Sequence, residues 1–211
     1  MYENFTRISP NEQQRILDAC LDEFARHGYA GASTNAIVKQ AGIPKGTLFY
    51  YFGSKKDLYL YLVDRAIAQY VQHSEQHPAE LPGDLFERLL FLGRERMRFA
   101  LREPRLYRLL FNAFVNLPAE IQPEMQARFG EYAATGMQQL TQGLDHSPFR
   151  PGVEVEQVVA MVTLLMEGIY NRSLPELARL SAEESLVYID RLTGEVALYF
   201  DLIRRGVYKS P

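Results

Sequence analysis

The sequence predicts an all-α protein, and three observations carry that reading. Apolar residues recur at helical spacing through most of the 211 residues. Serine caps, prolines at helix starts and glycines at helix ends fall between those runs. No stretch alternates apolar and polar residues long enough for a sheet, and no low-complexity tract or internal repeat is present.

The first helix opens at Ser9-Pro10-Asn11-Glu12, a capping serine followed by proline at the first helical position and glutamate three residues after the cap. Ile16, Leu17, Cys20, Leu21 and Phe24 form its inner stripe. It runs to about His27 and stops at Gly28. After the Gly28–Gly31 turn comes the most informative segment, Ser33 to Leu58: STNAIVKQAGIPKGTLFYYFGSKKDL. Ser33 or Thr34 caps a short helix whose buried side is Ile37, Val38 and Ala41. Gly42 suits the left-handed backbone that ends a helix, and Ile43 anchors the turn. Pro44 fits the first position of the next helix, where a missing N–H costs nothing. Lys45, Gly46 and Thr47 open that helix, with Leu48 and Phe52 on one side. Gly53 and Ser54 break and re-cap, and a new helix starts at Lys55 and continues to about His77, before Pro78.

Beyond the loop at Pro78–Gly83, Asp84 caps a helix to about Arg102. Pro104 starts another, to Asn116, and Pro118 interrupts. A longer helix covers roughly Pro123 to Leu144, and His146–Gly152 is a loop with two prolines. The last two helices are the most periodic. One carries Val155, Val158, Val159, Val162, Leu165, Met166 and Ile169; the other carries Leu186, Ile189, Leu192, Val196, Tyr199 and Ile203.

Two helices joined by a short glycine-containing turn are a helix-turn-helix unit, whose second helix enters the DNA major groove with its N-terminal residues at base edges. Lys45 can donate to guanine or phosphate, and Thr47 can contact either base type. Gly46 lets the backbone approach the sugar-phosphate rail. Tyr50 and Tyr51 supply hydroxyls to phosphate oxygens. Lys55 grips another phosphate from the next helix start. Charge agrees: formal net charge is −3, yet no Asp or Glu occurs from Phe24 through Lys56, a window holding Arg26, Lys39, Lys45, Lys55 and Lys56. The alternative is a merely solvated basic surface.

The run T-x-x-I-x-x-x-A-G-I-P-K-G-T-L-F-Y-Y-F-x-S-K-x-x-L resembles the DNA-binding domain of the tetracycline-repressor (TetR) family of bacterial regulators, over about Gln14 to Leu62. The resemblance implies an N-terminal three-helix head, a C-terminal helical bundle and about nine helices in all. It implies a DNA-binding domain at 1–53, an effector-binding and dimerisation domain at 54–211, and a homodimer through the last two helices. By motif position the DNA contacts are Thr34, Lys45, Gly46, Thr47, Tyr50, Tyr51 and Lys55. Pro44 departs from the pattern, since a capping serine is common there.

One recognition helix makes few base contacts, so specificity calls for two half-sites about one turn apart, which a twofold dimer supplies. The expected partners are double-stranded operator DNA and a second copy of the chain, together with the largely apolar small-molecule effector that the resemblance implies. For the effector, the candidates are Phe99, Tyr107, Phe111, Phe114, Met137, Met161, Met166, Glu167, Tyr170 and Asn171. For each, core packing is the alternative; Glu167 and Asn171 are polar groups beside an apolar stripe that need a ligand or a structural partner. The arginines from Arg94 to Arg108 could attract an anion or pair with Glu87, Glu95 and Glu103.

Other chemistries find little support. Cys20 cannot form an internal disulfide and reads as a small core residue, with redox sensing the alternative. His73 and His77 share a metal-ligand spacing without a third ligand, and read as exposed. No catalytic motif, cofactor motif or metal site is visible. Met1–Thr6 is not a signal peptide, and no run of about eighteen apolar residues crosses a membrane, so a cytoplasmic protein is expected. The expected function is a ligand-released repressor; the rivals are an activator with the same head, or a helical carrier or adapter without DNA binding.

Overall fold

The computed structural model describes residues 2–75, 81–115, 119–177, 180 and 182–209. Among these residues there are ten helices: α1 Glu3–Thr6, α2 Pro10–Gly31, α3 Thr34–Ala41, α4 Lys45–Phe52, α5 Lys55–Glu75, α6 Leu85–Arg102, α7 Pro104–Val115, α8 Gln122–Thr141, α9 Val155–Leu177 and α10 Ala182–Val207. The all-α class holds, and the β-type pairing described is one isolated bridge, Phe149 with Tyr208. The helix beyond the expected nine or so is α1, a single turn.

The local signals act where expected. Ser9 Oγ accepts from the Glu12 amide at 3.3 Å, with Pro10 in the first turn of α2. Gly28 leaves helical geometry (φ 63°, ψ −176°), and the chain makes one further turn to Gly31. Asp84 Oδ1 accepts from the amides of Phe86 and Glu87, capping α6. His77 and the loop residues 78–80 lie outside the described residues.

Packing gathers the chain into two compact units. The first comprises residues 1–81 and 92–139, the second 82–91 and 140–211. These units follow packing; the division expected at residue 53 concerns function and is taken up as a proposal below. In the first unit, α2 packs most extensively on α7 and then on α3, and α5 also packs on α7. Its core joins Ile16, Phe24, Ile37, Leu48, Tyr59 and Leu109, all at most 1% exposed. In the second unit, Leu85 and Phe86 pack with Val158, Val162 and Phe200. There the buried Arg88 donates Nε to the Pro82 carbonyl at 2.6 Å. It also donates its Nη atoms to the carbonyls of Leu140, Gln142 and Gly143. A buried guanidinium thus satisfies carbonyls that the end of α8 leaves open.

Two sequence expectations about single residues are resolved here. Cys20 is fully buried, and burial pushes its thiol up to about 12, so it packs as a core residue. His73, expected on a polar exposed end, is instead buried against Phe99, with ring centroids 5.5 Å apart. The polar neighbours Gln72 and Ser74 concealed that this face of α5 turns inward.

Candidate nucleic-acid interface

The site is built by α3, a tight turn and α4. Ser33 Oγ accepts from the Ala36 amide at 3.4 Å, so Ser33 is the cap and Thr34 the first helical residue. Gly42 ends α3 in the left-handed conformation (φ 63°, ψ 39°), its amide donating to the Val38 carbonyl; the Ile43 amide reaches the same carbonyl at 3.1 Å. Pro44 stands one residue earlier than expected, as the cap of α4 rather than its first residue (φ −62°, ψ 146°). It supplies no side-chain cap; its carbonyl instead accepts from the Thr47 and Leu48 amides. At the far end, Gly53 (φ 79°) turns the chain, and Ser54 Oγ accepts from the Asp57 amide at 3.0 Å to start α5.

Burial orients α4. Leu48 and Phe52 are 0% and 2% exposed, whereas Tyr50 is 66% exposed. Lys45 and Gly46 are exposed, and Thr34, Thr47 and Tyr51 are half-buried. Lys45, Gly46 and Tyr50 therefore share the outward side, with the Lys45 ammonium 6.0 Å from the Phe49 ring centre. A Cβ built on Gly46 would meet nothing within 4 Å. The protein itself gives no packing reason for a glycine inside this helix, where glycine costs about 1 kcal/mol relative to alanine.

Other candidate residues have internal tasks as well. Lys55 Nζ donates to the Ala30 carbonyl at 3.4 Å and lies 5.0 Å from the Tyr29 ring centre, bracing the α2–α3 corner. Lys56 pairs with Glu124 at 2.7 Å, which raises the lysine pKa and lowers that of the glutamate. Tyr51 leans on Phe5, ring centres 5.7 Å apart. Sequence reading missed this N-terminal buttress. Phe5 is fully buried and packs on Phe52 at 4.7 Å, while Tyr2 packs on Phe52 and donates its hydroxyl to the Asp57 carbonyl. The available signal was two aromatics, Tyr2 and Phe5, in an otherwise polar leader.

The profile described as "Bacterial regulatory proteins, tetR family" matches residues 16–62, which span this helix-turn-helix and its flanking helices. Residues 16–62 carry a DNA-binding domain of the tetR family. The chain is a DNA-binding transcriptional regulator. It is similar over most of its length to the HTH-type transcriptional repressor AcnR of Corynebacterium efficiens: 25% identical over 167 residues, 77% of this chain and 81% of that protein. Similarity to the fatty acid metabolism regulator protein of Bacillus subtilis is higher, 32% over 62 residues, but spans 29% of this chain and 32% of that one. The crystal structure of a TetR family regulator from Chloroflexus aurantiacus matches 99% of this chain and 98% of its own, with TM-score 0.66 and 26% identity.

The residues expected for a TetR-family effector site fall in both units. Phe99 is buried and Tyr107 half-buried in the first, where the Tyr107 and Phe111 ring centres are 6.5 Å apart. Met137 is exposed on α8, and Met161 and Met166 are exposed on α9. Phe114, Glu167, Tyr170 and Asn171 lie in helices, but their side chains are outside the described part of the structure. No helix among the described residues is long and apolar enough to cross a membrane.

Proposed function

We propose that the chain is a ligand-released repressor that binds a roughly palindromic operator as a homodimer and has no enzymatic activity. The observation that carries the DNA half is the two-sidedness of α4: Leu48 and Phe52 buried, Lys45, Gly46 and Tyr50 outward. A short helix so presented fits the major groove with its first turn at the bases. The contacts are Thr34, Lys45, Gly46, Thr47, Tyr50, Tyr51 and Lys55. An acid-free stretch from Phe24 to Lys56 keeps repulsive carboxylates away from phosphate in that part of the chain. The open space at Gly46 is accounted for by a close approach from outside the protein.

The dimer half is supported by large apolar side chains left exposed on the last two helices: Leu164 on α9 is 69% exposed, and Val187, Leu198 and Leu202 on α10 are 70%, 69% and 66% exposed. Large apolar side chains left exposed on two helices suit burial against another protein surface. Residues 1–53 act as the reading head and residues 54–211 hold the effector and the second subunit. An effector that binds better to a form whose two heads are wrongly spaced moves the population off DNA by that difference in affinity. With DNA as its partner, the protein works in the bacterial cytoplasm.

Footprinting on genomic fragments upstream of neighbouring genes tests the reading. The expected result is a symmetric protected site and a fall in transcript when the protein is added. Salt-independent or absent DNA binding removes the repressor; a rise in transcript makes it an activator.

A further inference from the structure

The recognition helix α4 is only eight residues long, and its cap residue Pro44 makes no side-chain hydrogen bond. A helix that short does not hold itself together in water, so its pose is set by what packs on it. Its buried anchors are Leu48 and Phe52. Rings from outside α4 close on Phe52: Phe5 at 4.7 Å, Tyr2 at 5.8 Å and Tyr61 of α5 at 5.4 Å. Phe5 also meets the neighbouring Tyr51, whose hydroxyl is assigned to phosphate above, at 5.7 Å. Phe5 is fully buried, so one side chain of the N-terminal segment touches both the inner anchor of α4 and a residue of its DNA side.

That segment is tied down at both ends. The Tyr2 hydroxyl donates to the Asp57 carbonyl at 3.3 Å, in the first turn of α5. At the other end, Gln13 of α2 donates its Nε2 to the carbonyls of Thr6 and Ile8, at 3.2 and 2.9 Å. The segment therefore bridges α2 to α5 and packs on α4 between them. Tyr2 holds a left-handed backbone (φ 68°, ψ 16°), and among the described residues it is the non-glycine residue with positive φ. An L side chain is disfavoured there, and such a conformation persists where its surroundings enforce it. Here the Asp57 bond and the Phe52 and Tyr61 rings do so.

We propose that Phe5 is a positioning residue that determines DNA specificity, with Tyr2 as its lock: together they set the angle at which α4 meets the major groove. Phe52 is the last residue of α4 and Lys45 the first, about 10 Å apart along the axis. A tilt of about 10° at the Phe52 end carries the Lys45 end by about 2 Å, enough to break a hydrogen bond. Contacts to base edges do not survive such a shift, whereas the attraction of lysines for phosphate changes little. The inference rests on the α4 contacts proposed above and deepens them by naming what aims them.

The test measures, at one salt concentration, the affinity of the full chain for its footprinted operator and for an equally long duplex of unrelated sequence. The expected result for Phe5→Ala is a tenfold or greater loss on the operator and less than a twofold change on the unrelated duplex, at a temperature where circular dichroism shows the variant folded. Phe5→Leu, which refills most of the space, should recover part of the loss. Tyr2→Phe, which keeps the ring and drops the hydroxyl, should lose a few-fold on the operator. Tyr51→Phe should cost less in the Phe5→Ala background than in the parent, because the hydroxyl is no longer aimed. Loss of folded protein would lower both affinities by one factor, so the ratio of the two separates aim from stability. Phe5→Leu and Tyr2→Phe keep the test decisive if Phe5→Ala does not fold. The parental ratio in every folded variant, or both affinities falling together, overturns the positioning role. A parent chain with no preference for any duplex would instead sink the contacts assigned to α4.

Discussion

Tyr29 donates its hydroxyl to the Glu120 carboxylate across 2.7 Å, joining the last turn of α2 to the turn before α8. Residue 120 is 91 positions away in the chain. Burial first, and then this carboxylate, push the phenol pKa upward, so the hydroxyl stays protonated as a donor. Together with the extensive α2–α7 packing, the bond ties the DNA-reading helices to segments far along the sequence. Tyr29→Phe removes the donor and keeps the ring; it should lower unfolding stability by about 1 kcal/mol in urea titration. An unchanged midpoint would show that water replaces the bond without loss.

Gly46 and Gly53 should respond oppositely to alanine. Gly46 is helical with open space where a Cβ would stand, so Gly46→Ala should stabilise the fold by roughly 0.5–1 kcal/mol while weakening operator binding. Gly53 has φ +79°, and its Cβ would lie 3.2 Å from Asp57 Oδ2, the atom that Ser54 Oγ contacts at 2.6 Å. Gly53→Ala should therefore destabilise by about 1–2 kcal/mol. Thermal melts paired with gel shifts separate the two effects; tighter DNA binding by Gly46→Ala would contradict the close approach assigned there.

Lys45→Ala and Tyr50→Phe probe the exposed side of α4. Lys45→Ala should weaken binding and, if its ammonium meets phosphate, reduce the slope of log affinity against log salt by about 1. Tyr50→Phe deletes a neutral donor, so affinity should fall with the slope unchanged. Parent affinity in both variants would remove these contacts.

Asp84 predicts an acid-sensitive second unit. Burial alone would raise its pKa; the Glu87 amide, the Tyr208 hydroxyl and the Arg204 guanidinium outweigh burial and hold it below the ordinary 3.8. A carboxylate with a lowered folded-state pKa stabilises the fold above the unfolded value. That contribution is lost as pH falls from 3.8 through the folded value. Asp84→Asn should thus be less stable than the parent at neutral pH and converge with it in acid, as followed by unfolding midpoints across pH. A constant gap between the two would refute the linkage.

Leu164→Glu or Leu202→Glu should leave the single chain folded, since both side chains are about two-thirds exposed. Each should shift sedimentation from dimer to monomer and weaken operator binding with it. Dimers that survive both substitutions would place the subunit contact elsewhere.

Local chemistry explains what could be read from residues alone. Ser9, Ser33, Gly42, Gly53 and Ser54 act on amides or carbonyls within a few positions of themselves, so their roles survive without knowledge of the rest of the chain. The same holds for the inner face of α4, where Leu48 and Phe52 are one helical turn apart. Those short-range rules sufficed for the helical class, the helix-turn-helix and the outward Lys45, Gly46 and Tyr50. They were silent about partners met only in three dimensions. Phe5 is a lone aromatic until Phe52 and Tyr61 cover it, Arg88 is an ordinary charged residue until the end of α8 presents its carbonyls, and His73 reads as exposed until Phe99 folds over it. Lys55 could be assigned to phosphate only because its bond to Ala30 spans 25 residues and no spacing rule reaches that far.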